Sequence, residues 1–254
     1  DFCLSRGLGD VYKRQFYTFS KSIDDCDTDG TACTGVAPVT HRNLNKARAG
    51  YDRNHRFIAS ATYELPVGQG RHFLNRGGFL NAFLGGWEIA WIQTVESGNP
   101  MSFTYAGNPA NEWSTAIGAQ VPNVVGAPSM DQFGLGNKIG GARFNQGLAN
   151  PVLSINNFSY PAAFTPGNAG RNIVTGPGLL WSEFSAKKNF KLNERFNLQF
   201  RYDFQNPFHN FNFNPPSTTV DFRNPQLFGK LTSDLVTANI GGQPLMNIML
   251  RLSW

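Results

Sequence analysis

ERFNLQFRYDFQ, residues 194–205, decides how this chain is read. Phe196, Leu198, Phe200, Tyr202 and Phe204 fall on one side of a two-residue period. Arg195, Asn197, Gln199, Arg201, Asp203 and Gln205 fall on the other. A strand sends successive side chains to opposite faces, so this segment has one apolar and one polar face. The 3.6-residue period of a helix would mix the two sets.

The neighbouring segments repeat the pattern. LLWSEFSAKKNF (179–190) sets Leu180, Phe184, Ala186 and Phe190 against Glu183, Ser185, Lys187 and Asn189. Only KLN (191–193) follows before the next strand, which predicts a tight hairpin. HRFIASATYEL (55–65) places Phe57, Ala59, Ala61, Tyr63 and Leu65 on one face, and GGWEIAWIQTVES (85–97) does so with Trp87, Ile89, Trp91 and Val95. FYTFSKSI (16–23) carries Tyr17, Phe19 and Ile23. At the end of the chain, LMNIMLRLSW (245–254) alternates Met246, Ile248, Leu250, Leu252 and Trp254 with Leu245, Asn247, Met249, Arg251 and Ser253. Six strands are therefore predicted.

Composition supports them. Charged residues are only 15 % and aromatics reach 13 %, with 22 Phe, 27 Gly and 15 Pro in 254 residues. That mix favours strands joined by turns over helices. No apolar run reaches the ~18 residues of a transmembrane helix, but a membrane β-barrel escapes that test because only alternate residues meet lipid. The formal charge of +5 is not gathered into a basic run, so nucleic acid is not an expected partner.

Strand length separates a barrel from a soluble sandwich. Ordinary strands average ~5–6 residues and tilted membrane strands need ~9–11; four of the six segments reach the longer length. Their polar faces carry Glu64, Lys187, Arg201 and Asp203 in mid-strand, and aromatics gather near strand ends at Tyr63, Trp87, Trp181, Phe190 and Trp254, as interface girdles require. The connections run to about thirty residues, then the moderate PVGQGRHFLNRGGFLNAFLG, then about eighty, three and about forty. Long outer loops alternate with short periplasmic turns in such barrels, and counting back from the last strand puts the C-terminus on the periplasmic side. The moderate second connection fits this pattern least well. The expected fold is all-β: an antiparallel transmembrane β-barrel, present as a C-terminal fragment of about six strands with long extracellular loops. Six strands are too few to close, since single-chain barrels have about eight or more and an open edge in lipid leaves backbone groups unpaired.

The first fifteen residues, DFCLSRGLGDVYKRQ, lack strand alternation. LSRGLGDVYKRQ resembles a translated sequencing-adapter peptide, which divides the chain into a non-native segment 1–15 and a barrel portion 16–254. A native polar loop is the alternative.

At this point a family resemblance emerges. YTFSKSIDD (17–25), YDRNHRFIASATYELPVGQGRHFL (51–74), LGGWEIAWIQTVESGNPMSFT (84–104), FSYPAAFTPGNAGRNIVTGPGLLWSEFSAKKNFKL (158–192) and ERFNLQFRYDFQNPFHNFNFNPP (194–216) resemble, in order, the late barrel of Oar-like TonB-dependent transporters of the Gram-negative outer membrane. The resemblance implies a 22-stranded barrel with a plug ahead of it, energised through TonB. It also implies that the alternating tail ending in Trp254 is the signal read by the barrel-assembly machinery. On this reading Arg195, Asn197, Gln199, Arg201 and Asp203 face the lumen, while Phe196, Leu198, Phe200, Ile248, Leu250, Leu252 and Trp254 face outer-membrane lipid and form the assembly signal. The cargo would be a solute, oligosaccharide or peptide. A passive porin and a soluble β-rich carbohydrate-binding module are the competing readings.

Little in the chain points to catalysis or a cofactor. DDCDTDG matches the first half of a calcium loop at Asp25, Asp27, Asp29 and Gly30, but its twelfth position is Val36 where a bidentate Glu is needed; a solvated acidic loop is the simpler account. Cys26 and Cys33 share that loop, and both a disulfide and two free thiols are compatible with their spacing. His41, His55, His72 and His209 are scattered without ligand spacing, and no nucleophile motif appears. The Asn-, Gly- and Pro-rich stretch from Gly98 to Gly178 holds Tyr105, Trp113, Phe133, Phe144, Phe158 and Tyr160. These rings could grip sugars or peptides, or pack the loop on itself, and the sequence does not choose.

Overall fold

The computed structural model describes residues 11–26, 43–68, 70–74, 78–107, 120–130, 151–191, 193, 195–231 and 244–254. Six long strands form one sheet: β1 (Val11–Phe19), β2 (His55–Glu64), β3 (Trp87–Glu96), β4 (Leu179–Lys191), β5 (Asn197–Gln205) and β6 (Leu245–Ser253). Their order in the sheet is their order in the chain, and every neighbouring pair is antiparallel. The shortest has 9 residues and the longest 13, so all six meet the membrane length. β1 and β6 each have one partner, which leaves the sheet open at both edges.

Residues directly opposite in antiparallel strands share a face, so the register carries the alternation across the sheet. Phe57 opposes Val95, Trp91 opposes Phe184, Ala186 opposes Tyr202 and Phe200 opposes Leu250. Together they make an apolar face whose polar exceptions are Lys13, Gln15, His55, Gln93, Ser182 and Lys188. The other face joins Ser60, Glu88, Glu183, Ser185, Lys187, Gln199, Arg201, Asp203, Asn247 and Arg251, with Tyr12, Phe16, Ile58, Ala90, Ile92, Leu179, Trp181, Leu245 and Met249 as apolar exceptions.

Three strand limits differ from expectation. β1 starts at Val11, inside the segment set apart as 1–15, and stops at Phe19. Alternation fails there because Lys13 and Gln15 sit on the apolar face; pairing with the ten-residue β2 extends the strand regardless. Ile23 belongs to a separate two-residue strand, Ile23–Asp24, paired with Ala47–Arg48. β5 starts at Asn197, so Arg195 and Phe196 lie in the hairpin connection. There the Asn193 side-chain oxygen accepts both of their backbone N–H groups, at 2.9 and 2.8 Å.

The connections 20–54, 97–178 and 206–244 leave one end of the sheet, while 65–86 and 192–196 leave the other. The second of these two groups contains a six-residue helix, Phe79–Leu84, within an otherwise all-β architecture.

The buried core lies among the long connections and contains no residue of the six strands. Met101, Phe103, Tyr105, Met130, Leu153, Phe158 and Val174 come from the connection 97–178, and Phe213, Val220, Phe228 and Leu231 from 206–244. Phe103 and Phe158 rings lie 4.7 Å apart, and Phe158 and Phe228 rings 5.4 Å apart. Short ladders tie the same segments: Pro100–Met101 with Val174–Thr175, Asn123–Val124 with Phe158–Ser159, and Thr104–Tyr105 with Thr219–Val220. The described parts of the long connections thus form a folded cap. Tyr105 and Phe158 pack inside it and Tyr160 packs against it, which answers the open question in favour of packing for these three. Trp113, Phe133 and Phe144 lie outside the described residues.

Candidate functional site

The polar face is an electrostatic ladder. Lys187 Nζ lies 2.9 Å from Glu88 Oε2 on β3. On β5, Arg201 Nε lies 2.8 Å from Asp203 Oδ1, which also accepts the Ser185 hydroxyl at 2.6 Å. Lys187 directly opposes Arg201, and Glu64 opposes Glu88. Like charges opposed across a sheet repel; here each is offset by an opposite charge, with Arg71 2.6 Å from Glu64 completing the set. Gln199 donates to Asn189 at 2.9 Å. At the long-connection end, Arg56 lies 2.8 Å and Arg53 3.6 Å from Glu96. Between these groups is a depression of about 320 Å³ lined by Glu88, Glu183, Lys187, Arg201, Asp203 and Asn247, among others. Of the residues expected on the polar face of β5, Asn197, Gln199, Arg201 and Asp203 lie there; Arg195 does not, because the strand begins after it. Leu198, Phe200, Ile248, Leu250 and Leu252 lie together on the apolar face, with Trp254 just beyond the end of β6.

Asparagine side chains help tie the cap to the sheet and to itself. Where β5 ends, the Asn212 amide takes over the ladder: its oxygen accepts Leu180 N–H at 2.9 Å and its nitrogen donates to Leu180 O at 3.3 Å. Asn206, in the left-handed region at φ 52°, bonds both backbone groups of Asn210 at 2.9 Å. Asn tolerates that region better than most residues.

A buried arginine clasps the first long connection to the second. Arg171 is 2 % exposed. It pairs with the Asp24 carboxylate and donates to Asp24 O at 2.8 Å and Asn45 O at 3.0 Å. Beside it, Arg48 bonds Asp52 at 2.9 Å and Thr175 at 2.8 Å. Burial opposes ionisation of Asp52. The hydrogen bonds from Arg48 and the Ser22 N–H, with the charges of Arg48 and Lys21, outweigh it and hold the carboxyl below the ordinary range. Elsewhere among the long connections, Arg223 holds half-buried Asp221 at about 2, through side-chain and backbone bonds.

Asp25 lines an open hollow with Ile23, Asp24, Asn43 and Lys46, while Asp27 and Asp29 lie outside the described residues. Among the described residues no group of three or more His, Cys, Asp or Glu converges. Cys26 is disulfide-bonded; the other two cysteines, Cys3 and Cys33, lie outside the described residues, as does His41. His55 Nδ1 is 2.7 Å from Tyr17 Oη at the rim of the sheet.

Lys188 was missed, although the parity contained it. The residue is 3 % exposed on the apolar face; its amine donates to Gly85 O at 2.6 Å and lies 5.5 Å and 4.9 Å from the ring centres of Trp87 and Phe190.

An antiparallel meander of membrane-length strands, apolar on one face and charged on the other, with long connections at one end, defines the wall of a membrane β-barrel. The chain matches the family model described as an outer membrane beta barrel domain over residues 9–240, and it belongs to that family. It is an outer-membrane barrel protein. Neither a curated protein nor a solved structure matches it significantly.

Proposed function

We propose that this chain builds wall strands and outer loops of a TonB-dependent transporter. The charged face lines a wet lumen and meets plug or solute through Arg201, Asp203, Lys187 and Glu88. The apolar face meets lipid. The long connections lie outside the cell, which puts the C-terminus in the periplasm. Both sheet edges need further strands, because lipid offers no partner for an open ladder. The barrel-assembly machinery reads the tail ending in Trp254. Uptake or export then follows from solute capture by the cap, plug movement through TonB and passage along the lumen. Such a cycle requires no catalytic residue and no cofactor.

The observation that carries this reading is the sorting of connections, with every long one at one end and their described parts joined in a shared cap. That is the layout of a loop-covered barrel mouth, and the residue blocks 17–216 resemble Oar-like transporters in order. The test uses the full-length protein refolded in detergent. It should show β-barrel circular dichroism, migrate differently when unheated, and bind the periplasmic domain of TonB. Identical migration with and without heating refutes the barrel; an intact barrel that ignores TonB refutes the coupling and leaves a passive porin.

A further inference from the structure

We propose that the described part of the connection between β2 and β3 (65–68, 70–74 and 78–86) is a membrane foot that lies in the periplasmic phospholipid leaflet beside the wall; this rests on the apolar face meeting lipid. Periplasmic turns of such barrels are short, and this one is longer for a structural reason. It folds on itself. Phe73 N donates to Pro66 O and Gly68 N to Phe73 O, both at 2.9 Å, and Gly86 N donates to Val67 O at 3.2 Å. A Cβ on Gly68, at φ +124°, would stand 2.8 Å from Gly85 Cα, so its two arms touch backbone to backbone.

Two side chains of the apolar face hold it. Trp87 Nε1 donates to Phe83 O at 2.9 Å, and Lys188 Nζ donates to Gly85 O at 2.6 Å. Both anchors project from the same side of the sheet, so the end of the helix Phe79–Leu84 lies on that side. A lysine on a lipid-facing wall is costly unless its amine reaches a polar partner at the interface. Here the foot supplies that partner as a backbone carbonyl, flanked by two aromatic rings.

The foot turns large apolar side chains outward. Phe73, Leu74, Phe83 and Leu84 are 51 %, 47 %, 58 % and 48 % exposed. They continue the apolar face beyond the strand ends, at the level where Trp87 and Phe190 mark the interface. An apolar element at that depth buries ~5–10 Å into the boundary between headgroups and acyl chains. Phospholipid is therefore the occupant that this surface fits.

The experiment places an environment-sensitive fluorophore at Phe83→Cys and, separately, at Leu84→Cys in the full-length protein. The background carries Cys3→Ser, Cys26→Ser and Cys33→Ser, and each labelled protein is screened for heat-dependent migration. Vesicles contain phospholipid with a nitroxide near the headgroup or near the chain end. Both foot positions should lose emission to the shallow nitroxide and keep it with the deep one. Leu250→Cys, on the wall, should lose emission to the deep nitroxide, and Val125→Cys, in the cap, to neither. If the foot positions keep their emission with both lipids while Leu250→Cys loses it, the foot is solvated or covered by protein and the proposal is overturned with the barrel intact. If Leu250→Cys also keeps its emission, the barrel reading itself falls.

Discussion

Phe103→Ala separates the cap from the wall. Phe103 is fully buried, and its ring lies 4.7 Å from Phe158 and 6.1 Å from Phe228. Those partners come from two different long connections, so one truncation loosens both. Removing a buried Phe side chain costs about 3–5 kcal/mol, transfer and cavity together. No sheet residue belongs to this core, so the cost should fall on local opening of the cap. At about 1.4 kcal/mol per tenfold, exchange of cap amides should accelerate by about 10²–10⁴-fold. Hydrogen exchange with mass spectrometry on the full-length protein in detergent reads this directly. Peptides from 151–178 and 206–231 should exchange faster, while those from 197–205 and 245–253 should keep their rates. Phe103→Leu keeps most of the volume and should cost less than about 1.5 kcal/mol. Equal acceleration in cap and sheet, or none in the cap, refutes an independently cored cap.

Other outcomes follow from the same geometry. Leu250→Arg and Met249→Arg are adjacent on β6 but opposite in face; in urea titrations of folding into vesicles the first should cost about 2–4 kcal/mol if it lies near the midplane and the second close to nothing. Equal costs would refute the face assignment. Arg171→Met removes the donors to Asp24 and Asn45, and should cost the clasp on the order of 3 kcal/mol; faster proteolysis within 43–54 checks this. Arg171→Lys should not restore protection, since one ammonium cannot reproduce the fork. Asp52 is held below the ordinary carboxylate range in the folded protein. Its contribution is therefore complete above about pH 4 and is lost as pH falls through the folded value. Near-ultraviolet circular dichroism of the cap should show acid loosening in that window, and Asp52→Asn should remove the pH dependence.

Alternation is a local property, and it was legible wherever each strand's own residues carried it. Phe200 against Arg201, and Leu250 against Met249, need only the two-residue period of an extended chain. The family layout of long and short connections could be counted in the same way. Strand ends were less legible. Parity ran on through Arg195 and Phe196 because a period cannot see the Asn193 side chain that holds both amides in the turn. It began only at Phe16, short of Val11, because the partner strand, not the sequence of β1, sets that limit. The cap was not legible at all: Phe103, Phe158 and Phe228 meet across more than fifty residues each, in segments without periodicity. The foot was visible only as a connection too long for its place. The sequence by itself determined two-faced strands and their order, because extended geometry forces neighbouring side chains apart. Only the tertiary structure decided that the core sits in the loops and that Lys188 reaches a carbonyl, because both depend on contacts between residues far apart in the chain.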